Sequence, residues 1–596
     1  MKKFTSKYLV VGVVLVVALA AILWWPSEEG LSFTAGTYSA SSRGFNGPIL
    51  VEVVVDRTKI NSVRVLEHTE SRLIADVALE RIPAAVVEGQ TVAVDAVAGA
   101  TVTSRALIAA ITDALTQAGG NLALLQAPPA AGPALQGQLT EKRVDVVVIG
   151  GGGAGLAAAV QAHQDGATVI LLEKMPRLGG NTILAGGAFN VVDESRQKLH
   201  GIEDSVERHI TQTYEGGDRL GNLDLIRVLV ENAAGAVRWL EDLGMQFQDS
   251  IFTVPGGMWR RALRPVAPLG TGFIETLGAY IEREEGIEVL LETTATELIM
   301  EGGRVVGVKA TTAAGPLTVR ANNAVVIATG GFGANVEMRD KVNIHWPSLT
   351  NIKTTNHPGA TGDGIQMAEA IGASVVGLEH IQLLPLGDPA TGSLSGSIGR
   401  TVNMTIYVNK EGKRFVDEGA RRDVMTKALM EQRDATLWEV VDRDSFPTGD
   451  TRNNFAETID SLVEQGRALR ADSLEELARL MNVNPANFVQ TVAEFNAAVD
   501  RKGGDAFGRT LFADRLDTAP FYAAPRAPTI HHTMGGIAIN TSAEVVGTNG
   551  QIIPGLFAAG EVTGGIHGNN RLGGNALPDI IVFGRIAGRN AANARR

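Results

Sequence analysis

Three glycines and one glutamate form the clearest candidate for chemistry in this sequence of 596 residues. Gly150, Gly152 and Gly155 fit the pattern G-x-G-x-x-G between two β-strand patterns, and Glu173 ends the second of them. Glycines in such a turn let the backbone approach a pyrophosphate, whose charge the following helix N-terminus stabilises, and an acid at this distance binds a ribose. The arrangement predicts a dinucleotide site. The alternative is a tight turn with nothing bound.

A run of hydroxyl side chains is the second candidate. Thr101, Thr103 and Ser104 follow Asp95 and open an apolar helix pattern. A hydroxyl at this place caps a helix by accepting hydrogen bonds from free backbone N–H groups. It could instead carry a covalently bound group, and these residues alone leave both interpretations open.

Two later glycine-rich stretches, residues 178–190 and 555–588, indicate which dinucleotide is bound. A nicotinamide enzyme does not need a second glycine-rich cradle so far along the chain. A flavin that is held along its whole length does need one. The dinucleotide is therefore predicted to be FAD.

These stretches, with "TGDG" (361–364), "NKEGKRFVDE" (409–418) and "HHTMGG" (531–536), resemble the fumarate reductase and succinate dehydrogenase flavoprotein superfamily over residues 143–596. The sequence is most similar to soluble periplasmic fumarate reductases and their relatives that reduce urocanate and methacrylate. The resemblance implies non-covalent FAD bound by Gly150, Gly152, Ala154, Gly155, Glu173, Lys174, Gly180, Asn181, Thr182, Gly186, Gly187, Ala328, Thr329, Gly330, Asp363, Glu561, Arg571, Ala576 and Leu577.

The resemblance also implies a reaction. In that family a C=C bond receives a hydride from N5 of FAD and a proton from an arginine, while a histidine and an arginine hold the substrate carboxylate. These roles fall on Arg422 as the proton donor and on His532 and Arg571 as the carboxylate clamp. Arginine suits the clamp because its planar fork binds a carboxylate through two hydrogen bonds. The neighbouring His531 is expected to be structural or to support the residues that contact the substrate.

The sequence departs from the family where fumarate's second carboxylate is held. Leu384 stands in place of a histidine, and Ser397 and Ile398 stand in place of a Thr-Glu pair. A site built for charge binds its ligand several kcal/mol more weakly when its partners are removed. We therefore expect an apolar or aromatic monocarboxylate against Leu384, Ser397 and Ile398, with fumarate or urocanate as the alternative substrate.

This sequence also departs from the family in the proton relay that leads to the proton-donating arginine. The family's relay uses the missing glutamate and a second arginine, which aligns here with Thr401. Either Glu418, Asp388 or Arg400 replaces the relay, or the loop is aligned wrongly.

Residues 36–119 resemble the small FMN-binding domain that is found in membrane electron-transfer subunits and fused to such reductases. In that family a flavin transferase attaches FMN through a phosphoester in the motif Asp-x-x-(Ser/Thr)-Gly-Ala-Thr-x-(Thr/Ser). Here the motif runs from Asp95 to Thr103, with Ala98 in place of the usual hydroxyl residue. The resemblance implies covalent FMN on Thr101, with Thr103 as the second choice.

Two other functions remain open. The protein could be an electron-carrier flavoprotein without reductase activity, but the retention of Arg422, His532 and Arg571 argues against an inactive site. It could also be a flavin dehydrogenase of ring ketones or steroids. Such an enzyme would use tyrosines as acid and base, and Arg571 would then have no carboxylate to bind.

These residues need several elements to position them. We expect a doubly wound α/β FAD-binding domain over 143–380 and 525–596, with an inserted α+β cap domain over 381–524 that carries Arg422. A small α+β FMN-binding domain is expected over 34–120. It should contain two strands joined by a turn around Arg57–Lys59, a helix near Leu73–Val86 and another helix from Ser104. Residues 121–142, rich in Ala, Pro and Gly, read as a linker.

The N-terminus, residues 1–30, is expected to be a membrane anchor. Lys2, Lys3 and Lys7 precede an uncharged apolar run over 8–25 that ends in two tryptophans. Such a run nearly spans a bilayer, and the leading positive charges place the body on the periplasmic side of the inner membrane. A cleaved signal peptide is the alternative. The anchor fits a membrane quinol-oxidising or other donor that reduces the FMN.

Composition excludes several classes of function. The chain has no cysteine, which excludes disulfides, thiolate-bound zinc, iron–sulfur clusters and c-type haem. No metal site is predicted. A formal net charge of −12 argues against a nucleic-acid partner, which requires a basic surface.

Overall fold

The computed structural model describes residues 30–45, 47–70, 75–97, 100–127, 140–512 and 514–594. The chain divides into two compact units, Met1–Pro133 and Ala134–Arg596. The predicted anchor run over 8–25 lies outside the described residues. Within the ranges that the structure describes, no helix is long and apolar enough to cross a membrane.

The first unit is an antiparallel three-stranded sheet with helices packed on one face. Its elements are β1 (Gly36–Arg43), β2 (Pro48–Val55), β3 (Ile60–Glu67), α1 (Asp76–Gly89), α2 (Thr101–Gln117) and α3 (Leu122–Leu125). The turn between β2 and β3 lies at the predicted place. The strand β1 was not expected, and α2 begins at Thr101 rather than Ser104.

The core of this unit forms between β2 and α2. Alternate residues of β2, Val51, Val53 and Val55, point inward against Leu107 and Ile111 of α2, as the two-residue period of a half-buried strand requires. Leu125 of α3 is also fully buried here. The start of the predicted linker is therefore part of the unit. Its other end is ordered too, since the next strand begins at Thr140, and residues 128–139 lie outside the described part.

The second unit begins with the FAD domain. The first strands of this domain are β4 (Thr140–Ile149), β5 (Val169–Leu172), β6 (Phe189–Asn190), β7 (Ala262–Leu263), β8 (Ile287–Leu290), β9 (Thr294–Glu301), β10 (Arg304–Thr312), β11 (Gly315–Ile327) and β12 (Val375–Val376). Its first helices are α4 (Gly153–Gln164), α5 (Glu194–Leu199), α6 (Val206–Gly216), α7 (Leu223–Asp242), α8 (Thr271–Arg283), α9 (Val336–Val342) and α10 (Asp363–Ala370).

The cap domain follows. Its strands are β13 (Ile381–Gly387), β14 (Ile406–Val408), β15 (Leu437–Asp442), β16 (Leu469–Ala471) and β17 (Phe521–Thr533), and its helices are α11 (Arg422–Met430), α12 (Ile459–Glu464), α13 (Leu474–Leu480) and α14 (Pro485–Arg501). The chain then returns to the FAD domain in β18 (Gly536–Ala538), β19 (Glu544–Val546), β20 (Ile552–Ala558), β21 (Thr563–Gly564) and α15 (Ala576–Asn593).

The FAD-domain sheet has the strand order β19-β20-β11-β4-β5-β8, and β20, β11, β4, β5 and β8 run parallel. The β4 residues Val146–Ile149 and all of β5 are buried on both faces, which is typical of a parallel strand covered by helices. Helix α15 packs closely on α4, because a side chain at Gly584 or Gly588 would overlap the carbonyls of Ala154 and Ala158. The predicted α/β architecture is thus observed.

The cap sheet joins β13, β17, β15 and β14, with β16 also paired to β17. Strand β17 crosses the predicted boundary at 525. Its start pairs with cap strands at Phe521–Arg526, and its end carries His531 and His532. One continuous strand therefore links the cap to the FAD domain.

Candidate active site

A cleft opens at the carboxyl ends of the parallel strands in the second unit. Ligands bind at this place in open α/β sheets. Most of the residues predicted to bind FAD line it: Gly150, Gly152, Ala154, Glu173, Lys174, Gly180, Asn181, Thr182, Ala328, Thr329, Gly330, Asp363 and Glu561.

The glycine turn and Glu173 meet directly. The Glu173 carboxylate accepts hydrogen bonds from the backbone N–H of Gly151 at 2.7 Å and of Met175 at 2.8 Å. Burial raises the pKa of this carboxyl above its ordinary value, although the backbone donors oppose the shift. The acid at the end of β5 thus lies beside the phosphate-binding turn.

The three glycines of the G-x-G-x-x-G pattern have different structural roles. Gly150 has φ +109°, and an added Cβ would overlap the carbonyl of Ala328. A Cβ on Gly155 would overlap the Gly150 carbonyl. Gly152, in contrast, faces open space, since the nearest atom to an added Cβ is 4.0 Å away. Gly150 and Gly155 thus permit close packing of the backbone, and Gly152 leaves room for a ligand.

The polar groups of the cleft fit FAD. Lys174 Nζ donates to Thr361 Oγ1 at 2.6 Å and to Asp363 Oδ2 at 2.5 Å. The hydroxyl of Thr329 is buried at the cleft with no partner among the described residues. A buried polar atom without a partner is costly. Bound FAD would supply the missing partner.

Six predicted FAD residues lie off the lining of the cleft: Gly155, Gly186, Gly187, Arg571, Ala576 and Leu577. Gly155 acts through packing on Gly150, and Gly187 (φ +78°) lies against the carbonyl of Leu269. Ala576 and Leu577 begin α15. The structure therefore separates residues that line the cleft from residues that shape it.

The cleft also contains residues that the glycine pattern did not indicate, among them Met175, His357, Thr294 and Met367. Burial, assisted by the charges of Arg177 and Lys174, lowers the pKa of His357 to about 4, so its imidazole is neutral at pH 7. These residues come from separate loops and strands, so no local sequence motif predicts them.

Arg422 is the first residue of α11 and is buried. Its Nε donates to the carbonyl of Pro255 at 3.0 Å, and its Nη1 donates to Gln382 Oε1 at 2.9 Å. Burial, together with the positive charge of Arg571, lowers the pKa of Arg422 well below its ordinary value. No carboxylate of the described residues forms an ion pair with it. The guanidinium is therefore unusually ready to release a proton.

Gln382 connects the two predicted site arginines. Its Oε1 accepts from Arg422, while its Nε2 donates to the Arg571 carbonyl at 2.7 Å and to Asn570 Oδ1 at 2.9 Å. The side chain is almost fully buried. The sequence analysis did not select Gln382, although it stands in the "IQLLPLGD" run that carries Leu384.

Arg571 lies on the loop before α15, buried, with its Nε lacking any partner in the described part of the chain. Burial lowers its pKa to about 10, against the opposing effect of Glu561. His532 lies nearby, with Nδ1 3.6 Å from Glu561 Oε1 and its ring edge-on to His567. Glu561 also lines the FAD cleft, so the clamp adjoins the cofactor site.

His531 occupies a β-bulge. Gln382 of β13 pairs with His532 and Leu383 pairs with Ile530, so His531 is the extra residue of β17. A bulge re-aims side chains beside active sites. His531 is less buried than His532, and its Nδ1 is 2.9 Å from Thr355 Oγ1.

Burial and the charges of both site arginines lower the pKa of His531 well below its ordinary value. Burial lowers the pKa of His532 well below its ordinary value, and the charges of Arg571, His567, His531 and Arg422 act in the same direction. The expectation that His531 is structural, or supports its neighbours without touching substrate, stays a prediction. Both imidazoles adjoin the arginines, and His531 is the more accessible one.

Comparison with known proteins shows which protein family this chain belongs to. The FAD binding domain family matches residues 145–577, and the FMN-binding domain family matches residues 44–116. The urocanate reductase of Eggerthella lenta is 37% identical over 95% of both chains. The chain belongs to the fumarate reductase family of FAD-dependent flavoproteins.

Two further relatives support this assignment. The NADH:acrylate oxidoreductase of Vibrio harveyi is 39% identical over 94% of this chain, which spans only 62% of that protein's length. The open conformation of a flavocytochrome c3 fumarate reductase matches with a TM-score of 0.62 and 36% identity over 76% of this chain and 78% of its own. The cofactors of the chain are FAD and FMN, since it contains a domain that binds each of them.

The residues at the family's second carboxylate position are engaged elsewhere. The Ser397 hydroxyl donates to Glu439 Oε1 at 3.0 Å. Ile398 is fully buried in a cap cluster with Val441 and Phe446. Leu384 is buried within β13. Among contacts of the described residues, none joins Ser397 or Ile398 to a site arginine, so the structure does not bring them together with the clamp.

None of the suggested relay residues contacts Arg422. Glu418 is fully occupied, since it forms ion pairs with Arg414 and Arg509 at 2.7 Å and accepts from the N–H of Tyr407. Asp388 accepts from its own loop. Arg400 donates to the carbonyl of Ser445. The proton relay of the family therefore has no counterpart in the contacts of Glu418, Asp388 and Arg400.

The FMN-binding motif leads into α2. The Thr101 side chain is exposed at the first residue of this helix, and its hydroxyl makes no hydrogen bond to the described residues. Thr103 is buried and donates to the Glu70 carboxylate. The N-cap residue, Ala100, provides no side-chain cap. Of the two candidate threonines, Thr101 thus has the free hydroxyl at a helix N-terminus that suits a phosphoester.

Proposed function

We propose that this protein reduces the C=C bond of an α,β-unsaturated monocarboxylate whose far end is apolar or aromatic. The observation that carries the proposal is the bridge formed by Gln382. It joins the guanidinium of Arg422 to the backbone carbonyl of Arg571, and neither of these two buried arginines has a carboxylate contact among the described residues. Two such groups are positioned to bind and protonate an acid.

The reaction divides between the cofactor and the chain. FAD, when bound in the cleft, supplies the hydride. Arg571 and an adjacent imidazole, predicted as His532 and more accessible at His531, hold the carboxylate and draw charge toward it, which makes the β-carbon electrophilic. Arg422 donates a proton to the α-carbon, and its lowered pKa assists this step.

The far end of the substrate site is proposed to favour an uncharged group, because Leu384, Ser397 and Ile398 replace the residues that hold a second carboxylate in the family. In the structure, Leu384 is buried and the Ser397 hydroxyl is committed to Glu439, so neither supplies a charged partner. A second carboxylate placed there would lose its hydration without gaining a partner, at a cost of several kcal/mol. Fumarate should therefore be a poor substrate.

Electrons are proposed to reach the FAD through FMN on Thr101, attached by a flavin transferase. The donor is proposed to be a membrane quinol-oxidising protein. The apolar run over 8–25 supports anchoring in the inner membrane with the body on the periplasmic side. Protease treatment of intact spheroplasts should degrade the body, whereas protection until lysis would contradict this orientation.

The reaction is tested with the purified protein reduced by dithionite-reduced viologen. Acrylate, methacrylate and cinnamate should oxidise the viologen at least about tenfold faster than fumarate. Arg422→Ala should reduce kcat by about 10³-fold while FAD stays bound, because only the proton donor is lost. The exposed Arg443→Ala is the matched control and should change neither quantity.

Urocanate is the second candidate substrate, because a urocanate reductase matches nearly the whole chain. It belongs in the same panel. Faster turnover of urocanate than of every apolar acid would replace the favoured substrate, and faster turnover of fumarate would remove the argument from Leu384 and Ser397. No turnover of any acid would indicate an electron carrier.

A further inference from the structure

Several arginines with buried side chains contact a carboxylate. Arg261 pairs with Asp204 at 2.8 Å, Arg509 pairs with Glu418 at 2.7 Å, and Arg414 pairs with Asp505 and Glu418. Such pairing is expected, since a buried charge without a partner is strongly unfavourable. An arginine that breaks this pattern, has an unsatisfied donor and reaches solvent is therefore a candidate to bind an anion.

Arg264 and Arg400 break it outside the catalytic pair. Arg264 Nη1 donates to Asn454 Oδ1 at 3.0 Å, and its guanidinium lies 4.1 Å from the ring centroid of Phe252. Its Nε is buried and has no partner in the described part of the chain. Arg400 donates only to the Ser445 carbonyl at 3.0 Å. All of these partners are neutral.

Asn454 links the guanidinium of Arg264 to the backbone of Arg400. Asn454 binds Arg264 through its oxygen and the carbonyl of Arg400 through its Nδ2, at 3.2 Å. Burial and the positive charge of Arg400 lower the pKa of Arg264 to about 10. No carboxylate of the described residues offsets this repulsion. Two like charges are thus held together where an anion would stabilise both.

The pair lies where the FAD domain meets the cap. Arg264 follows β7 and stacks on Phe252, three residues before Pro255, whose carbonyl accepts from Arg422. Arg400 belongs to the cap loop that follows Ile398. Both side chains are partly exposed, so a small ligand can reach them from solvent. The pair is therefore close to the active site without contacting the catalytic residues.

We propose that Arg264 and Arg400, with Asn454 beside them, form a second anion-binding site that takes a small oxyanion, such as a carboxylate. Guanidinium groups bind carboxylate, sulfate and phosphate through paired hydrogen bonds, and the free Nε of Arg264 is one such donor. The site does not depend on which acid is reduced. The bound carboxylate could be a substrate molecule on its way to Arg571 or an unrelated cellular anion.

Sulfate is the probe, because it tests binding without any chemistry. The melting temperature of the FAD-loaded protein is measured against sulfate concentration at constant ionic strength, with chloride as the balancing anion. Sulfate should stabilise the native protein by linkage. Arg264→Gln and Arg400→Gln should each raise the apparent dissociation constant about tenfold or more. Arg443→Gln, a charge-matched control at an exposed position of the cap, should leave it unchanged.

Removal of an unpaired buried charge should not destabilise the sulfate-free protein, so both variants are expected to fold. Arg264→Lys keeps the charge but not the fork, and provides a second test of the same position. If both glutamine variants respond to sulfate as Arg443→Gln does, the proposal is overturned. Arg571 and Arg422 would then account for any sulfate effect.

Steady-state kinetics with acrylate distinguish the two sources of the anion. If substrate passes through this site, both glutamine variants should lower kcat/KM severalfold with kcat unchanged, and the salt dependence of kcat/KM should weaken. If kcat/KM is unchanged while the sulfate response is lost, the site binds a separate anion. Failure of every acid to react would remove the proposed function but not the sulfate result.

Discussion

At the scale of single residues, this site is built from arginines whose usual partners are absent. Arg422 and Arg571 are both buried, and burial lowers the pKa of each. The chain tolerates this cost because a substrate carboxylate would restore the missing charge. Gln382 fixes the Arg422 guanidinium relative to the Arg571 backbone by neutral hydrogen bonds. The charges of both arginines therefore stay free to act on a ligand.

Gln382 is therefore expected to be a positioning residue. Gln382→Met removes the acceptor of Arg422 and the donor to the Arg571 carbonyl, and kcat should fall about 10- to 100-fold with a smaller change in KM. Gln382→Glu keeps an acceptor but adds a negative charge, which should raise the pKa of Arg422 and displace the pH profile of kcat. An unchanged profile in Gln382→Glu would contradict the assigned contact.

The protonation of His531 gives a prediction about pH. Burial and the charges of Arg422 and Arg571 lower its pKa well below the ordinary value, so the imidazole stays neutral between pH 8 and pH 6. The KM for acrylate should therefore stay constant over this range. An ordinary histidine would gain charge as the pH falls and would bind the carboxylate more tightly. A severalfold decrease in KM centred near pH 6.5 would show that His531 titrates.

At the scale of elements, the turn between β4 and α4 combines packing and binding in one motif. A Cβ at Gly155 would overlap the carbonyl of Gly150, whereas a Cβ at Gly152 would meet nothing closer than 4.0 Å. The two positions thus separate two reasons for a glycine. The first keeps the helix against the strand, and the second keeps space for the cofactor.

Alanine substitutions at these positions should differ in kind. Gly155→Ala should destabilise the protein by about 2–3 kcal/mol, because backbone must move to accept the methyl group. Gly152→Ala should leave the stability of the FAD-free protein within about 0.5 kcal/mol but abolish tight FAD binding. Thermal unfolding and flavin titration measure the two effects. Equal loss of stability in both variants would contradict the distinction.

At the scale of the whole molecule, the chain combines two units with one flavin each. The first unit presents Thr101 at the exposed start of α2, and the second presents the cleft for FAD. In the proposed reaction, electron supply and substrate reduction thus belong to separate folded units. Each can be disabled without the other.

Thr101→Val should abolish covalent FMN, seen as loss of flavin fluorescence from the denatured polypeptide, while FAD content and viologen-driven turnover persist. Thr103→Val is the matched control. It should retain FMN but destabilise the first unit by about 1–2 kcal/mol, because the buried hydrogen bond to Glu70 is lost. Retention of the flavin in Thr101→Val alone would assign the attachment to another residue.

The sequence by itself determined the features that depend on local pattern. The glycines at 150, 152 and 155 followed by Glu173 predicted the FAD cleft, because the geometry of a βαβ turn is set within one short segment. The buried runs of β4 and β5 and the hydroxyls at the start of α2 are equally local. The family motifs then placed Arg422 and Arg571 in one site.

Only the tertiary structure decided which side chains meet across distant segments. It showed that Gln382 bridges the arginines, that the bulge in β17 brings His531 beside them, and that Ile398 belongs to the cap core. It also paired Arg264 with Arg400, which are far apart in the chain. Such meetings depend on strand register and domain packing, and no periodicity along one segment records them.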